Sequence, residues 1–208
     1  MTPKKLKGIE LEKEILSAIK SEDELTGNRY GVMTMVDQDG LLRRIKSYPD
    51  LEGVIRGGLQ FVTECKVCSS ASIQLAARIE DDKSSKQLKH LLERAEYEAI
   101  TFYVIHFNER VLKTKTDPAM TFAFPVHPCH PFWERFVAGD EWKINRDTCQ
   151  LYGVDIPWFV PPRCRKVRPD FFKTILKVDN NLTRFRSKPK SNWRESPMFK
   201  KQPGGRQS

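Results

Sequence analysis

The chain is 208 residues long, 39% hydrophobic and 30% charged, with a formal net charge of +9, a size that suits one globular domain with an extension. It holds no run of about 18 apolar residues, which excludes a membrane-spanning helix, and its five cysteines show no disulfide-framework spacing. The charge is uneven: residues 161–208 carry 14 Lys or Arg against 3 Asp or Glu, whereas residues 1–160 carry 22 against 24.

Residues 6–20 read as an amphipathic helix. On a wheel of 3.6 residues per turn Glu12 lies among Ile9, Ile15, Leu16 and Ile19, whereas Glu10 and Glu14 point away. An acid on a buried stripe calls for a partner or a metal. Val32–Val36 and Leu41–Ile45 read as strands around an Asp37-Gln38-Asp39-Gly40 turn, which lacks the remaining ligands of a calcium loop.

A second hairpin is expected to follow. Glu52–Ile55 is a short strand, Arg56-Gly57-Gly58 supplies loop glycines, and Gln60–Val67 is a strand with Glu64 and Lys66 on one face and Phe61 and Cys65 on the other. A three-residue loop sets Ile55 opposite Leu59 and Asp50 opposite Glu64; a two-residue loop would slip the register and turn Asp50 to Cys65. The three-residue loop is preferred. It joins two carboxylates and an amine, which suits Mg²⁺ with its preference for oxygen ligands and retained water.

Residues 84–97 form the next helix, with Ser84-Ser85-Lys86-Gln87 as a possible capping box and Leu88, Leu91, Leu92 and Ala95 as its apolar face. Ile100–Phe107 is almost continuously apolar, as in a central strand covered on both faces, and His106 is read as a satisfied strand-end histidine. Thr121–Val126 is a strand that Pro125 confines to an edge or an end, and Pro131 opens a short helix. Residues 127–160 are expected to pack on this core. His127, Cys129 and His130 are zinc-ligand types in a spacing that matches no zinc module, so zinc is not expected. Cys65 and Cys68 face opposite sides of one strand, which argues against a redox pair.

Asp50-Leu51-Glu52-Gly53, the strand Phe61-Val62-Thr63-Glu64-Cys65-Lys66, the helix start Gln87-Leu88-Lys89-His90-Leu91 and the strand Ala99–Ile105 together resemble the PD-(D/E)XK nuclease superfamily. Within it they are most similar to Holliday junction resolvases of the RecU and archaeal types. The resemblance covers about residues 6–126. It implies an α/β, restriction-endonuclease-like mixed β-sheet flanked by helices, with the site where the hairpin strands diverge and the first helix crosses. It also implies a Mg²⁺-dependent endonuclease (Mn²⁺ may substitute) acting on branched DNA as a homodimer; another nuclease of the superfamily (exonuclease, restriction-like or repair) and a non-catalytic nucleic-acid-binding protein on the same scaffold stay open as alternatives.

Gly8-Ile9-Glu10-Leu11-Glu12 matches the Gly-x-x-x-Glu of such enzymes and selects Glu12. The implied catalytic set is Asp50, Glu64, Lys66, Glu12 and Gln87, and the implied metal ligands are Asp50, Glu64, the Cys65 carbonyl and Glu12. For Gln87 the capping and catalytic readings stay open.

Residues 1–160 are thus read as a nuclease domain and 161–208 as a basic, flexible nucleic-acid-binding tail. The tail would neutralise phosphates through Arg163, Arg165, Lys166, Arg168, Arg184 and Arg186 and stack aromatics such as Phe171, Phe185 and Trp193 on bases. Neither a secretory signal nor a transit peptide fits the amino terminus. With the scattered cysteines this places the protein in a reducing compartment, cytoplasmic or nucleoid-associated.

Overall fold

Helix α1 (Gly8–Lys20) forms because Leu11, Ile15, Ala18 and Ile19 recur at three- and four-residue spacing and are all buried, and because Glu10 accepts from the Lys7 amide at 2.7 Å to close the first turn. The apolar stripe is rotated from the expected one: Leu11 lies at its centre and Ile9 is 49% exposed. The computed structural model describes residues 2–29, 33–36, 42–45, 49–74, 82–141, 143–161, 166–188, 192–196 and 199, with the backbone alone at 33–36, 42–45 and 82–85.

In chain order the strands β1 (Leu25–Arg29), β2 (Met33–Val36), β3 (Leu42–Ile45), β4 (Leu51–Ile55), β5 (Gln60–Cys68) and β6 (Ser72–Gln74) precede helix α2 (Asp82–Glu96). Then come β7 (Ile100–Phe107), β8 (Arg110–Val111), β9 (Thr116–Asp117), β10 (Met120–Pro125), α3 (Pro131–Ala138), β11 (Lys143–Asn145) and α4 (Arg146–Tyr152). The chain continues through β12 (Val154–Asp155), β13 (Trp158–Phe159), β14 (Arg168–Pro169) and α5 (Phe171–Arg186). The expected early hairpin is present as β2 paired with β3.

The main sheet has six strands in the order β1-β4-β5-β7-β10-β12. Only β5 and β7 run parallel; their crossover is α2, and the other neighbours are antiparallel. One face buries Phe61, Cys65, Phe102 and Val104 under α1 and α5; the other buries Val62, Tyr103, Ile105 and Phe124 with Leu88 and Leu91 of α2 and Trp133 of α3. Covered on both sides, β7 is buried along its whole length. This is the mixed α/β sheet expected of a restriction-endonuclease-like chain.

The hairpin register is the one a three-residue loop demands. Leu51 pairs with Thr63 and Val54 with Gln60, the Ile55 amide donates to the Leu59 carbonyl at 2.9 Å, and Gly57 and Gly58 take φ of 107° and 95°, conformations that side chains other than glycine's rarely adopt. Gly53 is required for a different reason. A Cβ there would lie 2.2 Å from the Thr26 carbonyl and 2.5 Å from the Phe61 ring.

Two expectations are corrected. The chain after 160 is not wholly an extended tail: α5 lays Phe171, Ile175, Val178, Leu182 and Phe185 into the core beside α1, and Trp193 is 3% exposed against the other face. The spacing 171, 175, 178, 182, 185 is a helical stripe that a reading by net charge overlooks, and these aromatics are packing residues instead of base-stacking ones. Likewise α2 starts at Asp82, so Ser84 lies inside the helix and no capping box opens there.

Candidate active site

The first and last rungs of the hairpin explain how Asp50 reaches the Cys65 amide beside Glu64. In the antiparallel ladder the odd residues Leu59, Phe61 and Thr63 direct their amides and carbonyls toward β4. The next rung would join Pro49 to Cys65. Proline has no N–H to give, so the ladder stops, and the Asp50 carboxylate takes the strand's place by accepting from the Cys65 amide at 2.9 Å. Because N–H and C=O of one residue leave a strand on the same side, the Cys65 carbonyl is directed to the side where Asp50 sits.

Glu64 projects to the α2 face and is fully buried. There Gln87, 3% exposed, donates from Nε2 to Glu64 Oε2 at 2.7 Å and accepts from Lys66 Nζ through Oε1 at 2.5 Å. Lys66 Nζ is also 4.0 Å from Glu64 Oε2. Lysine can only donate and an ionised carboxylate can only accept, so this chain admits a single orientation of the Gln87 amide. The capping reading of Gln87 is therefore replaced by a side chain that joins Lys66 to Glu64.

Glu12 comes from the other layer. Its carboxylate pairs with Arg29 Nη2 at 2.5 Å and lies in the α1 face, toward which Cys65 also points. Arg29 was not anticipated, because β1 exposes most of its side chains and carries no readable periodicity. The four charged groups nevertheless share one neighbourhood. Burial pushes the Cys65 thiol well above its usual range, Asp50, Glu12 and Glu64 push it further, and Lys66 pulls it down. Burial also raises the Tyr103 phenol, helped by Glu64 and Asp50. Among the described residues no three or more His, Cys, Asp or Glu are disposed to enclose a metal ion. The Asp50 and Glu64 carboxylates and the Cys65 carbonyl are hard-oxygen donors, the type suited to Mg²⁺, which keeps several waters and uses one or two carboxylates plus substrate phosphate.

The histidine cluster has structural work. His127 Nδ1 accepts from the Cys129 amide at 3.1 Å, and His130 Nδ1 accepts from the Phe132 amide at 3.2 Å as the N-cap of α3. His106 bonds Thr121 at 2.8 Å. Cys65 and Cys68 fall in opposite core faces, as expected.

Of the basic residues read as phosphate contacts, Arg163 and Arg165 lie outside the described residues. Lys166 is exposed, Arg168 sits in β14, Arg184 is exposed beside the Phe185 ring, and Arg186 is paired with Asp179 at 2.6 Å.

No protein-family model and no curated protein matches this chain. Among solved structures it is similar to a Holliday junction resolvase of the archaeal hyperthermophile Archaeoglobus fulgidus, at 15% identity and a TM-score of 0.43, over 71% of this chain and 95% of that one.

Proposed function

We propose that this protein is a Mg²⁺-dependent endodeoxyribonuclease selective for branched DNA, acting as a homodimeric Holliday junction resolvase. The observation that carries this reading is the Lys66–Gln87–Glu64 chain beside an Asp50 held by the Cys65 amide. Asp50, Glu64 and the Cys65 carbonyl would hold the metal, with Mn²⁺ able to substitute, and Glu12 would orient the set from the α1 side. Bound there, the ion supplies an acidified water and offsets charge on the scissile phosphate.

The chain's own groups do the rest. Asp50 and Glu64 place negative charge on one side of the site; Lys66, one-quarter exposed, presents its ammonium at the edge where a phosphate or its attacking water arrives. Gln87 fixes that ammonium against Glu64, so the cation does not collapse onto bulk water. For gripping the duplex, α5 exposes Lys173, Lys177 and Arg184 along one side, and Lys188 is exposed two residues past its end, cations that would neutralise phosphates. A four-way junction offers two symmetric strands, which a two-fold dimer can nick together.

Gel cleavage of a four-way junction, linear duplex and single-stranded DNA with Mg²⁺ tests this, using the native protein, Asp50→Asn and Lys66→Ala. Paired symmetric nicks in the junction, lost in both variants, are expected. Variant-sensitive cutting of the other DNAs would remove the junction assignment and keep the nuclease; DNA binding without cutting would remove the nuclease itself.

A further inference from the structure

A cavity of about 220 Å³ lies farther along the same sheet face, against the edge strand β1. Its floor is the backbone of one lateral row, Gly27 opposite Gly53 opposite Phe61. Side chains of the two neighbouring rows form its walls: Thr26, Val54 and Gln60 on one side, Asn28 and Glu52 on the other, with Arg94 of α2 closing over them. Rows on one face of a strand repeat every two residues, about 7 Å, so the walls leave room for one planar ring in van der Waals contact with both. The volume is below that of pockets for drug-sized ligands, roughly 300–1,000 Å³.

The lining is chosen for hydrogen bonding. Glu52 offers a carboxylate acceptor; Arg94 gives one Nη2–H to Gln60 Oε1 at 2.9 Å, and its Nε is buried with no hydrogen-bond partner among the described residues. The cavity is also tied to the candidate site by two elements. Glu52 is two residues from Asp50, and Arg94 is seven residues, two helical turns or about 10 Å, from Gln87. It therefore leaves α2 at nearly the same azimuth.

We infer that this cavity receives a single unstacked nucleobase, guanine by its chemistry, from a nucleotide one to three positions from the scissile phosphate. The inference rests on the nuclease reading for the register of that nucleotide, though not for the pocket itself. Guanine presents N1–H and N2–H₂ to a carboxylate and O6 and N7 to a guanidinium, and at a branch point the stacking that must be broken to extrude a base is already interrupted. The grip would make cleavage depend on the base at one flanking position.

The test uses full-length Asp50→Asn protein, so that the strand stays intact, with four-way junctions carrying 6-methylisoxanthopterin, a fluorescent guanine analogue that keeps the ring N–H, amino group and carbonyl of guanine's pairing edge, at successive positions around the branch. Fluorescence is expected to rise at one position, and the rise is expected to disappear in Asp50→Asn combined with Arg94→Met or Glu52→Gln, each checked for an unchanged melting temperature. In the otherwise native protein Arg94→Met is expected to raise KM about ten-fold for junctions with guanine at that position, with kcat unchanged. No rise at any position, or a rise that survives both substitutions, overturns the pocket even where Mg²⁺-dependent nicking is seen. A substitution-sensitive rise without any nicking by the native protein keeps the pocket and overturns the nuclease reading.

Discussion

Gln87 has only one amide, yet it satisfies a cation and an anion at once, donating to Glu64 and accepting from Lys66. On the proposed reading its role would be positioning, since it would reach the reacting atoms only through its two neighbours. Gln87→Ala is expected to lower kcat about 10- to 100-fold, the usual cost of losing a supporting partner of a site residue, with KM little changed. Burial means that some stability goes too, about 1–3 kcal/mol, so the kcat–KM split, measured well below the melting temperature of the variant, carries the test. A variant that loses stability while keeping the native kcat would reduce Gln87 to a structural hydrogen bond. Asp50 shows the same economy. Proline at 49 ends the ladder, and the carboxylate one residue later spends one oxygen on the Cys65 amide.

Among the elements, α5 is the one whose role composition misjudged. Its buried side carries Phe171, Ile175, Val178, Leu182 and Phe185 against the sheet face that also holds α1, and Phe171 meets the rings of Phe61 at 6.0 Å and Phe102 at 5.9 Å. Phe171→Ala is therefore expected to destabilise the protein by about 3–5 kcal/mol, in the range of large core deletions, measured by urea unfolding. A cost under about 0.5 kcal/mol, typical of a surface change, would mean that residues after 160 are an appendage. The opposite side of the same helix keeps its lysines and arginine in water, so one element serves both packing and charge. At β4, by contrast, the close approach of β1 and the Phe61 ring leaves no room for any side chain at Gly53, which links the hairpin's packing to the placement of Asp50 three residues earlier.

Among the described residues two apolar layers cover the six-stranded sheet, and three histidines are enclosed there as neutral groups. Burial lowers His106, His127 and His130 each to about 4, with Arg146, Arg186 and Arg184 respectively adding to the shift; a hydrogen bond to Asn108 opposes it at His106 and the charge of Glu96 opposes it at His127. Their unfolded value is about 6.5. The unfolded chain thus binds more protons between these limits, and stability falls as pH drops from about 6.5 toward 4, then levels for these groups. The expected loss is on the order of 1 kcal/mol or more for each imidazole. Urea midpoints at pH 7.5, 6, 5 and 4 check this, with His106→Gln expected to flatten the slope; an equal slope in that variant would remove His106 from the account.

Local rules in the sequence were enough for the hairpin, its register and the sheet-face assignment of Glu64, Lys66 and Cys65, because strand alternation and two loop glycines are short-range constraints. The same holds for α1, α2 and α3, whose apolar periods are strong, and for β7, whose apolar run is continuous. Three things were decided only by the tertiary structure. Strand β1 has too few buried side chains to show a period and exists because β4 offers it an edge. Gln87 could be read equally as a cap or a site residue until α2 was seen to start at Asp82 and turn it toward Glu64. Helix α5 is basic in composition, and only the face left open beside α1 makes its apolar stripe a part of the core, since burial is a property of what another element covers and not of a segment alone.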